Sequence, residues 1–270
     1  MTNIANAELY SDRIQKNFPH IKVKVLNDES FASSRLCYSP EVHRLYQQSI
    51  GQGDINLFNE GWRIGRYLHR NKIPYTLMED GLNCLQHVGS IPSLKQRIRL
   101  ILTYKPIWHG YSKYCKQIIV NEIKGIPLDS RQSKFIERPK KELLLQLSQE
   151  DREKILAIFD VQPLTLKSSA ALILTQPLEI EFQDEVARLK FWKNLIDKYR
   201  DEGYNVYVKV HPRDTLDYSS FPVTILPKNV PAELLDFAVD RQFSIGVTYY
   251  STALEFMGCV QEKVYLSWEK

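Results

Sequence analysis

The chain has few cysteines and no long apolar run. Its four cysteines, Cys37, Cys84, Cys115 and Cys259, have the spacing of neither a disulfide framework nor a metal site, which favours free thiols in a reducing compartment. No apolar segment approaches the length of about 20 residues that a membrane-spanning helix needs, and no signal peptide opens the sequence. These absences predict a cytoplasmic protein.

A strong excess of one charge is also lacking. The 36 Lys and Arg residues and 32 Asp and Glu residues leave a net charge of +4, which is too small and too evenly spread to indicate a nucleic-acid-binding protein. The basic segment 134–141 is typical of a solvated linker. With 43% hydrophobic and 25% charged residues, the chain has a globular composition. Peripheral contact with a membrane would leave little trace in composition.

Apolar strands alternate with amphipathic helices, which indicates βαβ units and parallel sheets. In the first half we predict helices at 5–17, 41–49, 61–70 and 94–104, and strands at 21–26, 55–58, 75–78 and 117–120. In the second half we predict strands at 170–175, 206–210, 223–226, 243–247 and 263–266, and helices at 184–200, 232–238 and 251–258. Apolar residues at helical spacing in the helix at 184–200 predict a core-facing stripe of Val186, Leu189, Trp192 and Ile196.

The two halves predict an α/β protein of two Rossmann-like domains facing each other across a cleft, at residues 1–165 and 166–270. A polar stretch at 129–141 and a helix at 142–159 are interpreted as the passage between them. Because the chain opens on a helix, we expect the first domain to lack its usual first strand.

The strand at 206–210 ends in a polar cluster. Pro212 cannot donate to a sheet ladder, so it ends the strand and leaves His211 at the carboxyl edge, where open α/β sheets bind ligands. A histidine flanked by Lys209 and Arg213 could protonate, or hydrogen-bond, an anionic leaving group such as a nucleotide phosphate. The alternative is a strand that merely ends in polar residues.

Two adjacent carboxylates, Glu79 and Asp80, precede Gly81 at the end of the strand at 75–78. Neighbouring residues of an extended chain point to opposite sides, so one carboxylate can face a cleft while the other holds the turn. A carboxylate at a strand end can act as a general base toward an acceptor hydroxyl. The alternative is an acidic turn before the next helix.

Two hydroxyl residues, Ser251 and Thr252, lie where the strand at 243–247 gives way to a helix. A helix start supplies free backbone N–H groups and a positive dipole end, and the hydroxyls add donors for phosphate oxygens. Simple N-capping is the alternative, and it is compatible with phosphate binding.

Together these motifs resemble a known group. Glu79-Asp80-Gly81, His211-Pro212 and Ser251-Thr252 are similar, in that order, to the acidic-acidic-Gly, His-Pro and Ser/Ser-Thr motifs of bacterial sialyltransferases and polysialyltransferases. Segment 172–178, Leu-Ile-Leu-Thr-Gln-Pro-Leu, resembles the strand that opens the donor domain in glycosyltransferase family 52. The resemblance spans the chain from about Asn56 to Glu255.

The resemblance implies a GT-B fold and a metal-independent, inverting transfer of sialic acid from CMP-sialic acid to a glycan acceptor in capsule, exopolysaccharide or lipooligosaccharide synthesis. By motif position, Glu79 or Asp80 would be the general base and His211 would assist the departure of CMP. The donor-binding residues would be Lys209, Pro212, Arg213, Glu233, Ser251 and Thr252, with Glu233 at the nucleoside and the two hydroxyls at the phosphate.

The resemblance implies no cofactor and no metal, with cationic side chains doing the work of a metal ion. The expected partners are the nucleotide-sugar donor and the glycan acceptor. Action at the inner face of the cytoplasmic membrane and a homodimer are compatible with it. Three alternatives stay open: transfer from another nucleotide sugar such as UDP-glucose, a non-catalytic protein that binds a nucleotide or polysaccharide, and a nucleotide-sugar epimerase of similar two-domain shape.

Overall fold

The computed structural model describes residues 6–25, 40–50, 53–60, 63–79, 93–95, 98 and 109–266. The strands are β1 (Asn56–Leu57), β2 (Tyr75–Met78), β3 (Cys115–Val120), β4 (Phe135–Glu137), β5 (Ala170–Leu174), β6 (Asn205–Lys209), β7 (Thr224–Leu226), β8 (Phe243–Thr248) and β9 (Val260–Tyr265). The α-helices with defined bounds are α1 (Ala7–Asn17), α2 (Pro40–Ser49), α3 (Arg63–Arg70), α4 (Lys140–Leu145), α5 (Gln149–Phe159), α6 (Glu185–Asp201), α7 (Leu235–Ala238) and α8 (Ala253–Phe256). Within the described ranges, no helix combines the length and apolar composition needed to cross a bilayer.

The predicted α/β class with parallel sheets is confirmed. The chain divides into two compact units, residues 24–146 and residues 147–270 together with 1–23. This division differs from the predicted domains 1–165 and 166–270, because α1 packs against α5 within the second unit. Tyr10 stacks on Phe159 with ring centroids 5.3 Å apart, and Arg13 Nη1 donates to the carbonyl of Ile158 at 3.0 Å.

The unit formed by residues 24–146 contains a four-stranded parallel sheet in the order β1-β2-β3-β4. Burial alternates along β2, with Tyr75 and Leu77 buried and the residues between and after them half-buried, as expected of a strand with one better-covered face. The predicted strand at 21–26 is wrong as far as the structure describes it, because residues 21–25 form no strand.

The predicted linker at 129–141 is also wrong. Phe135–Glu137 forms β4 and pairs in parallel with β3, so this segment completes the first sheet. Two of its charged residues, Arg131 and Lys134, are held by hydrogen bonds rather than solvated. Arg131 is fully buried and donates to the Asp129 carboxylate and to the His109 carbonyl, while Lys134 Nζ donates to the carbonyls of Gly110 and Ser112.

The second unit contains a five-stranded parallel sheet in the order β7-β6-β5-β8-β9. All five residues of β5 are buried, because apolar clusters cover both faces of the sheet. Ala171 and Ile173 belong to the cluster that includes Trp192 of α6, and Leu172 and Leu174 belong to the opposite cluster. A strand covered on both sides reads as a continuous apolar run, which is why the sequence predicted it well.

Helix α6 confirms most of its predicted stripe, and one position differs. Trp192 and Ile196 are buried and Leu189 packs against the same cluster, whereas Val186 is 71% exposed. Val186 lies in the first turn, where Asp184 caps the helix by accepting the N–H of Val186 at 3.2 Å. The predicted single helix at 142–159 is two helices, because Ser148 starts α5 as its N-cap and accepts the N–H of Asp151.

Packing beside β8 depends on a glycine. A Cβ added at Gly246 would lie 2.7 Å from both Leu254 Cδ1 and Val260 Cγ1. We expect Gly246→Ala to lower the free energy of unfolding by about 1–3 kcal/mol, because overpacking of a filled core carries that cost, as measured by denaturant titration. The control is Gly53→Ala, where a Cβ meets nothing within 4 Å. An unchanged unfolding midpoint for Gly246→Ala would contradict the packing described here.

Candidate functional site

Three neighbouring strands of the second sheet end at one level. Leu174 of β5 lies opposite Lys209 of β6 and Thr248 of β8, so the residues that follow these strands meet at the carboxyl edge. The connection from β5 leads to β6 and the connection from β8 leads to β9, on opposite sides. The ends of β5 and β8 therefore form the topological switch point where open α/β sheets bind ligands. The predicted residues His211 and Ser251 follow the strands on either side of β5.

A tight turn holds His211. The N–H of Asp214 donates to the His211 carbonyl at 2.9 Å, with Pro212 at the second position of the turn, where its restricted φ is favourable. Within this turn, the backbone N–H of Arg213 donates to His211 Nδ1 at 3.1 Å. Because Nδ1 is an acceptor there, the neutral imidazole carries its proton on Nε2.

The neutral form of His211 is also the favoured one. Burial lowers the pKa of His211, and the nearby charges of Arg213, Lys209 and Lys228 lower it further, while Asp214 opposes them. The half-buried imidazole is therefore suited to donate a hydrogen bond from Nε2 to an anionic oxygen at neutral pH. Pro212 and Arg213 are exposed, so the structure places Pro212 in the turn and the Arg213 side chain at the surface.

A buried carboxylate at this edge was missed in the sequence. Asp214 is 2% exposed and accepts hydrogen bonds from Thr175 Oγ1 at 2.6 Å, Tyr218 OH at 2.7 Å and the N–H of Leu216 at 3.1 Å. The same Thr175 hydroxyl oxygen accepts the N–H of His211 at 3.1 Å. The available signal was a polar residue, Thr175, directly after a wholly apolar strand.

Lys209 is buried rather than open at the edge. It is 4% exposed, and its Nζ donates to the carbonyls of Val210 at 3.1 Å and Lys228 at 3.2 Å. Burial lowers the pKa of Lys209 to about 8, against the opposing effect of Glu233. Glu233 lies in the 3₁₀ helix Ala232–Leu234. Its negative charge is near enough to act on the Lys209 ammonium.

The loop after β8 is held by Gln176. This side chain is 6% exposed, and its Oε1 accepts the N–H of Tyr250 at 2.8 Å and lies 3.3 Å from Thr248 Oγ1. Thr248 Oγ1 in turn accepts the N–H of Ser251 at 3.2 Å. Gln176 therefore ties the ends of β5 and β8 together, and sequence reasoning did not identify it.

Helix α8 is shorter than predicted. It covers Ala253–Phe256 rather than 251–258, so its dipole is that of a single turn. Ser251 Oγ accepts the N–H of Ala253 at 3.3 Å, whereas Thr252 makes no side-chain cap hydrogen bond. Of the two predicted cap residues, Ser251 is the one that accepts a helix N–H. Both hydroxyls lie in the loop that leaves the carboxyl edge.

In the first unit, the Glu79 side chain joins the ends of two neighbouring strands. It directly follows β2 and is 8% exposed, and its Oε2 accepts the N–H of Asn121, which directly follows β3, at 2.5 Å. The division of roles predicted for the two adjacent carboxylates stays a prediction. Asp80 and Gly81 lie outside the described residues.

A second buried carboxylate of the first unit, Glu60, has both oxygens engaged. It is 3% exposed, and it accepts hydrogen bonds from Tyr75 OH and from the N–H of Gly110. Burial raises the pKa of Glu60. Because strand β2 and the loop at Gly110 both donate to it, we interpret Glu60 as a residue that holds this unit together. Across the residues that the structure describes, no group of three or more His, Cys, Asp or Glu side chains is placed to hold a metal ion.

Comparisons with known proteins support one family. The sequence model of glycosyltransferase family 52 matches residues 2–267 of the chain. No curated protein matches it in sequence. Among solved structures, the wall teichoic acid polymerase TagF is similar with a TM-score of 0.41 and 12% identity, over 75% of this chain and 51% of that one. The chain thus spans about half the length of that structure.

The buried ammonium of Lys209 predicts a pH dependence of stability. Its pKa falls from 10.5 to about 8 on folding, so between these pH values the unfolded chain keeps a proton that the folded state has released, and stability rises with pH. We expect the free energy of unfolding of the wild type, minus that of Lys209→Met, to increase by up to about 3 kcal/mol over this window. Denaturant titrations at pH 7.5 and 10 measure the difference.

The control is Lys190→Met, which removes an exposed lysine from α6. A difference between wild type and Lys209→Met that is equal at both pH values would show that Lys209 does not titrate in this window.

Proposed function

The chain belongs to glycosyltransferase family 52, and on this premise we propose that it transfers sialic acid from CMP-sialic acid to a glycan acceptor, without a metal ion and with inversion at the anomeric carbon. The pathway proposed is capsule, exopolysaccharide or lipooligosaccharide synthesis. The observation that supports the donor site best is that β6 and β8 flank β5 and end level with it, so that His211 and the loop of Ser251 and Thr252 share one carboxyl edge.

In the proposed reaction, the bond between the anomeric carbon and the phosphate oxygen breaks, and its electron pair leaves with CMP. The neutral His211 imidazole donates a hydrogen bond from Nε2 to the phosphate as charge develops on it. The acceptor hydroxyl oxygen forms the new bond to the anomeric carbon, and its proton passes to a carboxylate base. Ser251 and Thr252 bind the phosphate with their hydroxyls, and the exposed Arg213 adds positive charge beside it.

We assign the base to Asp80 rather than Glu79. The Glu79 carboxylate is buried and already accepts the N–H of Asn121, so it is occupied in holding two strand ends together. Of the two adjacent carboxylates named by the resemblance, Asp80 is therefore the candidate for the base.

The remaining residues of the nucleotide-sugar site have indirect or supporting roles. Glu233 contacts the nucleoside. The buried Lys209 ammonium interacts electrostatically with Glu233 and supports the donor site through that residue. Pro212 contributes by closing the turn that holds His211. Action at the inner face of the cytoplasmic membrane and a homodimer stay predictions from the family resemblance.

The donor and the histidine role are tested together. Purified protein with CMP-sialic acid and a galactose-terminated acceptor is expected to release CMP. His211→Ala should lower kcat by about 10²–10³-fold, the usual cost of removing one hydrogen-bond donor to a developing anion. His211→Gln places a neutral N–H near the position of Nε2, so it should retain about tenfold more activity than His211→Ala.

Other outcomes lead to other assignments. Turnover of a UDP-sugar without CMP release would indicate a transferase with a different donor. Interconversion of a UDP-sugar without an acceptor would indicate an epimerase. Binding of CMP with no turnover of any donor would indicate a non-catalytic protein, and equal rates for His211→Ala and wild type would remove the leaving-group role.

The two carboxylates are distinguished by a matched pair of variants. We expect Asp80→Asn to lower kcat by about 10²–10⁴-fold, as for loss of a general base. Glu79→Gln should stay within about tenfold of the wild type, because the glutamine oxygen still accepts the N–H of Asn121 that Glu79 binds. Kinetics with saturating donor measure both, and the reverse ranking of the two variants would assign the base to Glu79.

A further inference from the structure

A buried hydrogen-bond network behind His211 has no role in the reaction proposed above. We propose that Thr175 and Asp214 are positioning residues, which hold His211 so that its Nε2 proton points at the departing phosphate. The inference rests on the proposed leaving-group role of His211. Asp214 belongs to none of the motifs that carry the family resemblance. Thr175 lies in the resembling segment 172–178, but the resemblance gives this threonine no role.

Asp214 is the centre of this network. It is 2% exposed, as is Thr175, and its carboxylate accepts hydrogen bonds from Thr175 Oγ1 at 2.6 Å and Tyr218 OH at 2.7 Å. A carboxylate taken out of water needs such donors, because an unsatisfied buried charge is costly. With the N–H of Leu216 on the other oxygen, both carboxylate oxygens of Asp214 are satisfied within the folded chain.

The hydroxyl of Thr175 connects Asp214 to His211. Because its proton is donated to Asp214 Oδ2, a lone pair of Oγ1 is left to face the backbone N–H of His211, which donates to it at 3.1 Å. Asp214 thus determines which way the Thr175 hydroxyl points. Thr175 follows β5 and His211 follows β6, so the bond also joins the two strand ends.

Asp214 also holds the carbonyl of His211. The backbone N–H of Asp214 donates to the carbonyl of His211 at 2.9 Å, and this turn brings the N–H of Arg213 to Nδ1. The backbone N–H and the carbonyl of His211 are thus both hydrogen-bonded, and Nδ1 of its imidazole accepts a third hydrogen bond. Only Nε2 is left to act on a substrate.

Charge cannot account for the role of Asp214. The charged groups that act on the His211 imidazole are Arg213, Lys209 and Lys228, which favour its neutral form, and Asp214, which opposes them. Replacing Asp214 with Asn would therefore favour the neutral imidazole further, which is the form proposed to act. A loss of turnover in Asp214→Asn reports a change in position and not in protonation.

The test is a double-mutant cycle between Thr175 and His211. Thr175→Val keeps the shape and removes the hydroxyl, and it is expected to lower kcat by about 10–100-fold with the KM for the donor changed less than about threefold. The control Thr175→Ser keeps the hydroxyl and should stay near the wild type. In the His211→Ala background, Thr175→Val should have no further effect, because the group it positions is absent.

Additive effects in this cycle would overturn the proposal, since they would mean that Thr175 acts on the fold or on the donor without His211. If His211→Ala alone leaves turnover unchanged, the proposed function itself has failed. If His211→Ala alone impairs turnover and the cycle is additive, only the positioning role has failed.

A second measurement decides the case where residual turnover is too slow to compare or a variant is poorly folded. In protein labelled with ¹⁵N-histidine, the imidazole signals of His211, assigned by their absence in His211→Ala, should report the Nε2–H tautomer. Asp214→Asn and Thr175→Val should each shift them toward a tautomer mixture. Tyr218→Phe, which removes a donor to Asp214 that does not touch His211, should shift them less. Signals that are unchanged in both variants would contradict the proposal.

Discussion

The parallel pairing of β5 with β6 on one side and β8 on the other is the constraint on which the candidate donor site depends. Strand β5 is buried along its whole length, so its register with both neighbours is set by side chains that must fit the clusters on each face. Leu174 therefore stands level with Lys209 and Thr248. Thr175, His211 and Ser251, which follow these positions, therefore lie at one edge although they are far apart in the sequence.

That edge is polar inside as well as at its surface, and its buried groups satisfy one another. Gln176 accepts from the loop after β8, and Asp214 accepts from both the β5 end and the segment after His211. The first unit uses the same device, with Glu79 and Glu60 accepting backbone N–H groups of neighbouring loops. Buried side chains thus order loops that would otherwise leave unsatisfied donors, at a cost of about 1–3 kcal/mol each.

The sequence predicted what local pattern can specify. Strands such as β5 and β2 are short apolar runs with clear ends, and Pro212 marks the point where the chain leaves β6. The three-residue strand β4 was missed, because Phe135 and Ile136 stand among charged residues and only pairing with β3 identifies them. Thr175, Gln176 and Asp214 were missed for a related reason, since a hydrogen bond across 39 positions, as between Thr175 and Asp214, leaves no local trace.

The position of α1 has a consequence for how the chain folds as it is synthesised. Helix α1 is made early, yet the partner that its Arg13 contacts, Ile158, lies 145 positions later. In between, residues 24–146 form a complete unit of their own. Helix α1 therefore has no α5 to pack against until α5 has left the ribosome. A contact between residues so far apart in the sequence also forms slowly. Until then, Tyr10 of α1 lacks the Phe159 ring against which it packs in the folded chain.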